Sequence, residues 1–296
     1  MAGRGFEAYV APVHPRAQVW RTVVGFVLIF LLYALLTAAV VVAGWWLSPV
    51  ADRPFLFFAQ SLDPPDTPYK TITLLFTFTG MILGVWLAAR LLQRRGLRSV
   101  FGPGPRVLRD FVAAALAYGA VLAVFLLGWA LVYDAEPNLP AVDWLRLLPV
   151  TILLLLYQTG AEELVFRGWL LQSLGARFAS PVAWAVIPSL LFGAAHFNPS
   201  AFGSVTWVAM GATAVFGLFA ADLTARTGSL GAAWGFHFVN NLVALALVAQ
   251  KGSITGLALY VTPYAMDQGD VSLVTVLLDL GVIVLGWIVV RRVVLR

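Results

Sequence analysis

The sequence contains about eight apolar runs, most of them long enough to cross a membrane. About 20 apolar residues are needed to span ~30 Å of hydrocarbon. Backbone polar groups cannot stay unpaired there, so such runs fold as helices. The pattern predicts an all-α, polytopic membrane helix bundle that forms a single transmembrane domain over residues 1–296. We place the spans at about 22–47, 71–93, 111–132, 145–169, 182–197, 203–223, 229–249 and 272–290.

Composition and charge placement agree with a membrane protein. The 296 residues are 61% hydrophobic and 11% charged, whereas soluble domains carry roughly 25% charged residues. Most of the 19 basic residues precede the first run, follow the even-numbered runs or end the chain. Because basic residues collect in cytoplasmic loops, we expect both termini to be cytoplasmic. The net charge of +5 therefore indicates membrane topology and no nucleic-acid partner.

Two further features bear on location and chemistry. The loop after the second run holds six arginines and has a second interpretation, contact with anionic lipid. The chain has no cysteine, which excludes disulfides, iron–sulfur clusters and a thiol nucleophile. This absence leaves the redox compartment undetermined. The composition and the compact, short-looped organisation predict a multi-pass protein of a bacterial cytoplasmic (inner) membrane.

Three charged residues interrupt the fourth apolar run. Glu162 and Glu163 are adjacent, and Arg167 follows four residues after the second of them. A charge at membrane depth costs about 2.5–3.5 kcal/mol on insertion scales, so such residues rarely occur there without a function. We therefore expect these three residues to take part in the activity.

Two of the three histidines lie in later apolar runs. Phe192 and His196 are four residues apart, as are His237 and Asn241, so each pair shares one helix face. Glu162 and His196 lie equally far from Ala179, where a hairpin between the fourth and fifth spans would turn. This count predicts that carboxylates, imidazoles and an amide meet in the cytoplasmic half of the bundle.

These residue types are suited to hydrolysis. A carboxylate accepts a proton from water beside an imidazole that holds the water, and other donors stabilise an oxyanion. The same atoms are also zinc ligands, and the set His196, His237 and Glu162 is the one we expect if zinc is used. The His-Glu-x-x-His sequence of soluble zinc proteases is absent.

The three motifs resemble those of a known family. Glu162-Glu163-x-x-x-Arg167, Phe192-x-x-x-His196 and His237-x-x-x-Asn241 are similar, in order, to the motifs of the CPBP intramembrane proteases. That family includes type II CAAX prenyl endopeptidases and Abi-type bacteriocin-processing or immunity proteins. The resemblance covers roughly residues 145–250, the motif-bearing core.

The resemblance implies an intramembrane endopeptidase that is either glutamate- or metal-dependent. It implies that Glu162 is the general base on a water shared with His196, and that His237 and Asn241 form the oxyanion hole. Glu163 and Arg167 would orient the site or balance its charge, supported by Phe192. The expected partners are the lipid bilayer and a membrane-associated peptide or protein substrate.

Two alternatives belong to other functional classes. The first is a non-enzymatic membrane immunity or scaffold protein that keeps the polar cluster for binding. The second is a proton-coupled transporter, in which buried glutamate and histidine also serve. A protease requires Glu162 and His196 for cleavage, a binding protein tolerates their loss, and a transporter shows substrate-dependent flux.

Overall fold

A computed structural model of the chain describes residues 4–48, 52, 54–265 and 273–296, and most of these residues are helical. Ser272, at the predicted start of the eighth span, lies outside the described residues. The helices of the first half are α1 Arg4–Val10, a 3₁₀ helix Ala11–Arg16, α2 Val19–Leu47, α3 Phe55–Ser61, α4 Pro68–Thr77, α5 Thr79–Leu92, α6 Arg98–Phe101 and α7 Gly104–Ala130.

The second half is also helical and includes three π-helical stretches. Its elements are β1 Glu136–Pro137, α8 Ala141–Glu163, a π-helix Leu164–Leu171, α9 Gln172–Gly175, a π-helix Val182–Val186, α10 Ile187–Ala194, α11 Pro199–Phe202, a 3₁₀ helix Gly203–Val205, α12 Thr206–Thr227, α13 Gly231–Leu242, a π-helix Val243–Leu247, β2 Val248–Lys251, β3 Tyr260–Ala265 and α14 Leu273–Val294.

The all-α membrane bundle predicted from the sequence is confirmed, and the chain is a multi-pass membrane protein. The apolar helices Val182–Ala194 and Gly231–Leu247 are shorter than the helices that are long enough to cross a membrane. The count of eight spans and the cytoplasmic termini stay predictions. Within the described residues, five helices are long and apolar enough to cross a membrane: Val19–Leu47, Pro68–Leu92, Gly104–Ala130, Ala141–Gly175 and Gly203–Thr227.

The exposed surface of α7 illustrates why the bundle needs lipid around it. Leu116 and Val124 are 71% and 72% exposed, whereas Ala114 and Tyr118 of the same helix are fully buried. Water would penalise such an apolar outer face, while hydrocarbon does not. The inner face is selected for packing against other helices and the outer face for lipid contact.

Small residues allow α13 to lie directly against α7. A Cβ atom added at Gly231 would lie 2.2 Å from the carbonyl oxygen of Val107, and one at Gly235 would lie 2.3 Å from that of Phe111. Both obstacles are backbone atoms, which cannot move aside as a side chain does. The glycines therefore set the close approach, as small residues do between membrane helices, and this contact fixes the position of His237.

A small sheet that the sequence did not predict lies beside the helices. β3 pairs antiparallel with β1, Glu136 opposite Val261, and parallel with β2, Val248 opposite Tyr260. The predicted seventh span, 229–249, therefore ends in a strand because the π-helix stops at Leu247. The strands are too short for their alternation to be distinguished from a loop in the sequence.

Candidate active site

Glu163 is the most firmly held acidic side chain of the site. Its Oε1 accepts hydrogen bonds from Nη1 of Arg167 at 3.1 Å and from Nδ1 of His237 at 2.8 Å. The Glu163 and Arg167 side chains are each 1% exposed. A buried charge needs a hydrogen-bonded partner of opposite or polar character. Arg167 and His237 supply such partners to the Glu163 carboxylate.

Arg167 is enclosed on several sides. Its Nη2 donates to the carbonyl oxygen of Gly217 in α12 at 3.3 Å, and its guanidinium carbon lies 4.5 Å from the ring centroid of Phe192. It lies in the π-helix that continues α8, and π-helical turns often occur at functional sites. Arg167 therefore joins three segments around the Glu163 carboxylate.

Glu162 is placed differently from its neighbour. Its Oε2 lies 3.4 Å from Nε2 of His237, and its side chain is 8% exposed. Among the residues that the structure describes, this oxygen has no hydrogen-bond partner. Gln158 lies four residues earlier, on the same face of α8. Oε2 of Glu163 likewise has no partner among the described residues. The two glutamates differ in their other contacts. Glu163 is hydrogen-bonded to Arg167 and His237, whereas Glu162 forms the longer contact with His237 and is the more exposed of the two.

The His196 side chain is held by its own helix end. Its Nδ1 lies 2.8 Å from the carbonyl oxygen of Phe192, one turn earlier. A carbonyl only accepts hydrogen bonds, so Nδ1 carries the hydrogen in this contact and Nε2 of a neutral ring keeps its lone pair. His196 is half-buried, so its second nitrogen can accept a hydrogen bond from water.

The Phe192 ring lies between the charged residues and His196. Its centroid is 4.7 Å from that of His196 and 5.8 Å from that of His237. The side chain is fully buried, with an exposed fraction of 1%. Phe192 therefore supports both imidazoles by packing, and its carbonyl fixes one of them by a hydrogen bond. The spacing of the second motif follows from these two contacts.

Asn241 belongs to a series of hydrogen-bonded amide side chains. Its Nδ2 donates to Oε1 of Gln158 at 2.9 Å, and its Oδ1 accepts from Nδ2 of Asn240 at 3.3 Å. Oδ1 of Asn240 accepts in turn from the hydroxyl of Tyr118 at 3.2 Å. A primary amide has two N–H donors, so one N–H of Asn241 remains beside the bond to Gln158.

The seven residues singled out from the sequence lie in three segments of the chain. These are the end of α8 with the π-helix that follows it, the end of α10 with the turn after it, and α13. Direct polar contacts join Glu162, Glu163, Arg167 and His237, while His196 and Asn241 are joined to them through other residues, Phe192 and Gln158. The roles assigned to them, including general base and oxyanion hole, stay predictions.

The predicted zinc ligands are not arranged as a ligand set. Within the described part of the chain, no group of three His, Cys, Asp or Glu side chains is positioned to hold a metal. Both ring nitrogens of His237 face carboxylates, Nδ1 towards Glu163 and Nε2 towards Glu162. The donors present therefore do not fit a zinc centre.

Sequence reasoning missed several supporting contacts. The hydroxyl of Tyr9 in α1 lies 2.8 Å from the carbonyl oxygen of Val100 and 3.2 Å from that of Arg167. The ring of Phe216 lies 5.3 Å from that of His237. Neither residue belongs to a polar or periodic pattern in the sequence, so only the three-dimensional structure identifies them.

Comparison with known proteins finds a family that is similar to the part of the chain containing this site. Residues 144–243 match the family model described as Type II CAAX prenyl endopeptidase Rce1-like. This segment is similar to the Rce1-like family. The matched range contains all three motifs, so the resemblance to the CPBP family inferred from them is confirmed. An Rce1-like segment supports an intramembrane protease of the CAAX type in general terms.

One relative extends the similarity beyond the Rce1-like segment. The uncharacterized protein YyaK of Bacillus subtilis (strain 168) is 29% identical over 263 residues, which cover 84% of this chain and 85% of YyaK. No solved structure matches the chain significantly. The similarity to YyaK therefore includes helices outside residues 144–243, although it adds nothing about substrate.

Proposed function

We propose that the protein is an intramembrane endopeptidase that hydrolyses a peptide bond of a membrane-associated substrate with water activated by Glu162. The observation that carries this proposal is the unequal placement of the two adjacent glutamates. Oε1 of Glu163 accepts hydrogen bonds from both Arg167 and His237. Glu162 instead lies 3.4 Å from His237, and its side chain is 8% exposed against 1% for Glu163. A general base needs an oxygen free to meet its proton donor.

His237 acts between the two carboxylates. Glu163 accepts from its Nδ1, which leaves Nε2 directed towards Glu162 at 3.4 Å. With hydrogens on both nitrogens, the imidazolium and Arg167 balance the two carboxylates. Its Nε2–H can then donate to an oxyanion beside Glu162, joined by the remaining N–H of Asn241. Preorganised donors of this kind stabilise the transition state strongly in a site that excludes water.

His196 holds the attacking water in this scheme. Because its Nδ1 is engaged by the Phe192 carbonyl, its Nε2 accepts a hydrogen bond from the water. Glu162 takes the proton, and the water oxygen bonds to the carbonyl carbon of the substrate. When the tetrahedral intermediate collapses, the C–N bond breaks and the Glu162 carboxyl returns the proton to the leaving amine.

The substrate we expect is a peptide or protein that is itself associated with the membrane. Glu162, Glu163 and Arg167 are buried within an apolar bundle, so a freely soluble chain would have to leave water to reach them. The distribution of arginines favours a site that faces the cytoplasm in a bacterial inner membrane. The proposed reaction is therefore best tested with the protein and its substrate in a membrane.

Comparison of peptide termini in membranes tests this function. Membranes containing the wild-type protein are expected to accumulate new termini that are absent from membranes containing Glu162→Gln. Asp279→Asn is the matched control, because it makes the same acid-to-amide change in another predicted span, α14, and it should cleave like the wild type. Identical termini in wild type and Glu162→Gln would contradict proteolysis and favour an immunity, scaffold or transport role.

A further inference from the structure

Three helices end around a cavity outside the catalytic cluster. The cavity has a volume of about 500 Å³ and lies at the start of α7, the end of α12 and the end of α14. These ends carry arginines that the sequence places on the predicted cytoplasmic side. The residues that line it are Gly5, Arg106, Arg109, Asp110, Ala113, Arg226, Thr227, Val293, Val294, Leu295 and Arg296.

The lining is strongly basic. Asp110 is the acidic residue of the lining, and it is buried, with an exposed fraction of 1%. Its two oxygens already accept hydrogen bonds, one from Arg109 at 2.8 Å and the other from Ser229 at 3.0 Å. Asp110 therefore neutralises Arg109. Asp222, outside the lining, is ion-paired with Arg226. Arg106 and Arg296 leave an excess of positive charge in the lining.

The remaining arginines keep donors for a ligand. Nη1 of Arg106 donates to the carbonyl oxygen of Thr227 at 3.3 Å, and Nε of Arg226 donates to Asp222 at 2.6 Å. A guanidinium has five N–H donors, so each keeps several. Planar guanidinium groups bind phosphate oxygens through paired hydrogen bonds, and an anion with phosphate chemistry fits this arrangement.

An apolar surface continues from the basic cavity along α14. A second cavity of about 450 Å³ is lined by Ile288, Arg291, Arg292 and Leu295, and it shares Leu295 with the first. A free phosphate ion has no use for the aliphatic side chains at this border. A phospholipid matches both parts, because its phosphate enters the basic cavity and its acyl chains follow the apolar surface.

We propose that this cavity, between α7, α12 and α14, binds the phosphate headgroup of an anionic glycerophospholipid. Basic pockets between membrane helices on the cytoplasmic side recognise such headgroups. The site is separate from Glu162 and the other residues of the proposed reaction. Its occupant would hold together the ends of three helices, and none of the seven residues singled out from the sequence lies in these helices.

Lipid titration of the full-length protein in neutral detergent tests the proposal. Dioleoyl phosphatidylglycerol and dioleoyl phosphatidylcholine carry the same chains, so native mass spectrometry compares their headgroups directly. We expect the wild type to bind phosphatidylglycerol at least about tenfold more tightly, and Arg106→Gln/Arg296→Gln to remove that preference. The variant Arg106→Lys/Arg296→Lys, which keeps the charge, should retain most of it.

A matched control separates this cavity from general surface charge. Arg90→Gln/Arg177→Gln removes the same charge from exposed positions on the same predicted side and should bind phosphatidylglycerol like the wild type. Equal loss in both glutamine pairs, or equal binding of the two lipids, would overturn the proposal. Displacement of the lipid by millimolar inorganic phosphate, with equal thermal stabilisation, would assign the site to a free anion and also overturn it.

Discussion

Nδ1 of His237 lies 2.8 Å from Oε1 of Glu163, and this contact joins α13 to the end of α8. The same carboxylate oxygen is bonded to Arg167. Glu163 therefore aligns the imidazole, whose other nitrogen faces Glu162 at 3.4 Å. In the proposed mechanism one glutamate positions the histidine and the other acts as the base, which would account for two adjacent carboxylates in an apolar helix.

Glu163→Gln should reduce both stability and cleavage. The amide removes the negative charge that Arg167 and His237 share, and loss of one partner from a buried ion pair typically costs about 3–5 kcal/mol. The free energy of unfolding, measured by detergent denaturation, should fall by roughly that amount. Glu162→Gln is the matched neighbour, expected to lose cleavage with little change in stability. Equal stability losses would contradict the division of roles.

Phe192→Leu should weaken the site without removing any polar atom from it. The backbone carbonyl that fixes His196 remains, while the ring over the Arg167 guanidinium is lost. A desolvated cation–π contact contributes about 2 kcal/mol, so stability should fall by about that much and the cleavage rate by roughly tenfold. Phe178→Leu, at a residue that is 39% exposed, should change neither measurement. Unchanged turnover in Phe192→Leu would show that the ring does not support the imidazoles.

Gly235→Ala tests the close contact that positions His237. Its Cβ would lie 2.3 Å from the backbone oxygen of Phe111, and overpacking of this kind costs about 1–3 kcal/mol. We expect lower stability and slower cleavage, because α13 must move away from α7. Gly128→Ala meets no atom within 4 Å and should be neutral or slightly stabilising. A neutral Gly235→Ala would mean that α13 tolerates displacement.

Cleavage should continue after treatment with a chelator such as 1,10-phenanthroline. Both nitrogens of His237 face carboxylates, and the described residues supply no three-ligand group for zinc. A zinc peptidase assayed beside the protein verifies that the chelator is effective. Loss of cleavage that returns on addition of zinc would replace the glutamate mechanism with a metal-dependent one.

The sequence predicted the features that follow from the pattern of apolar residues and from the free energy of burying charge. Apolar runs indicated the helices, and the unfavourable free energy of a charge in the membrane identified Glu162, Glu163 and Arg167. Motif spacing placed His196 and His237 on helix faces. Because each pair is four residues apart, its members share a face whatever the neighbouring helices do.

The remaining features depend on packing between distant segments. Adjacent helix residues point about 100° apart, so the orientation of Glu162 relative to Glu163 requires the position of α13. The Gln158 bridge to Asn241 joins two helices far apart in sequence. The contact of Tyr9 with the Arg167 carbonyl comes from an N-terminal helix outside the predicted spans. None of these has a local sequence signal.

Glu162 is the base in the proposed mechanism. The most direct test of this role is the initial cleavage rate of purified wild-type protein and Glu162→Gln in proteoliposomes, with a peptide that spans a cleavage site identified in membranes. We predict at least a thousandfold slower rate for Glu162→Gln, roughly the contribution of a general base or more, at equal amounts of folded protein. Cleavage by Glu162→Gln within about tenfold of the wild-type rate would contradict the mechanism.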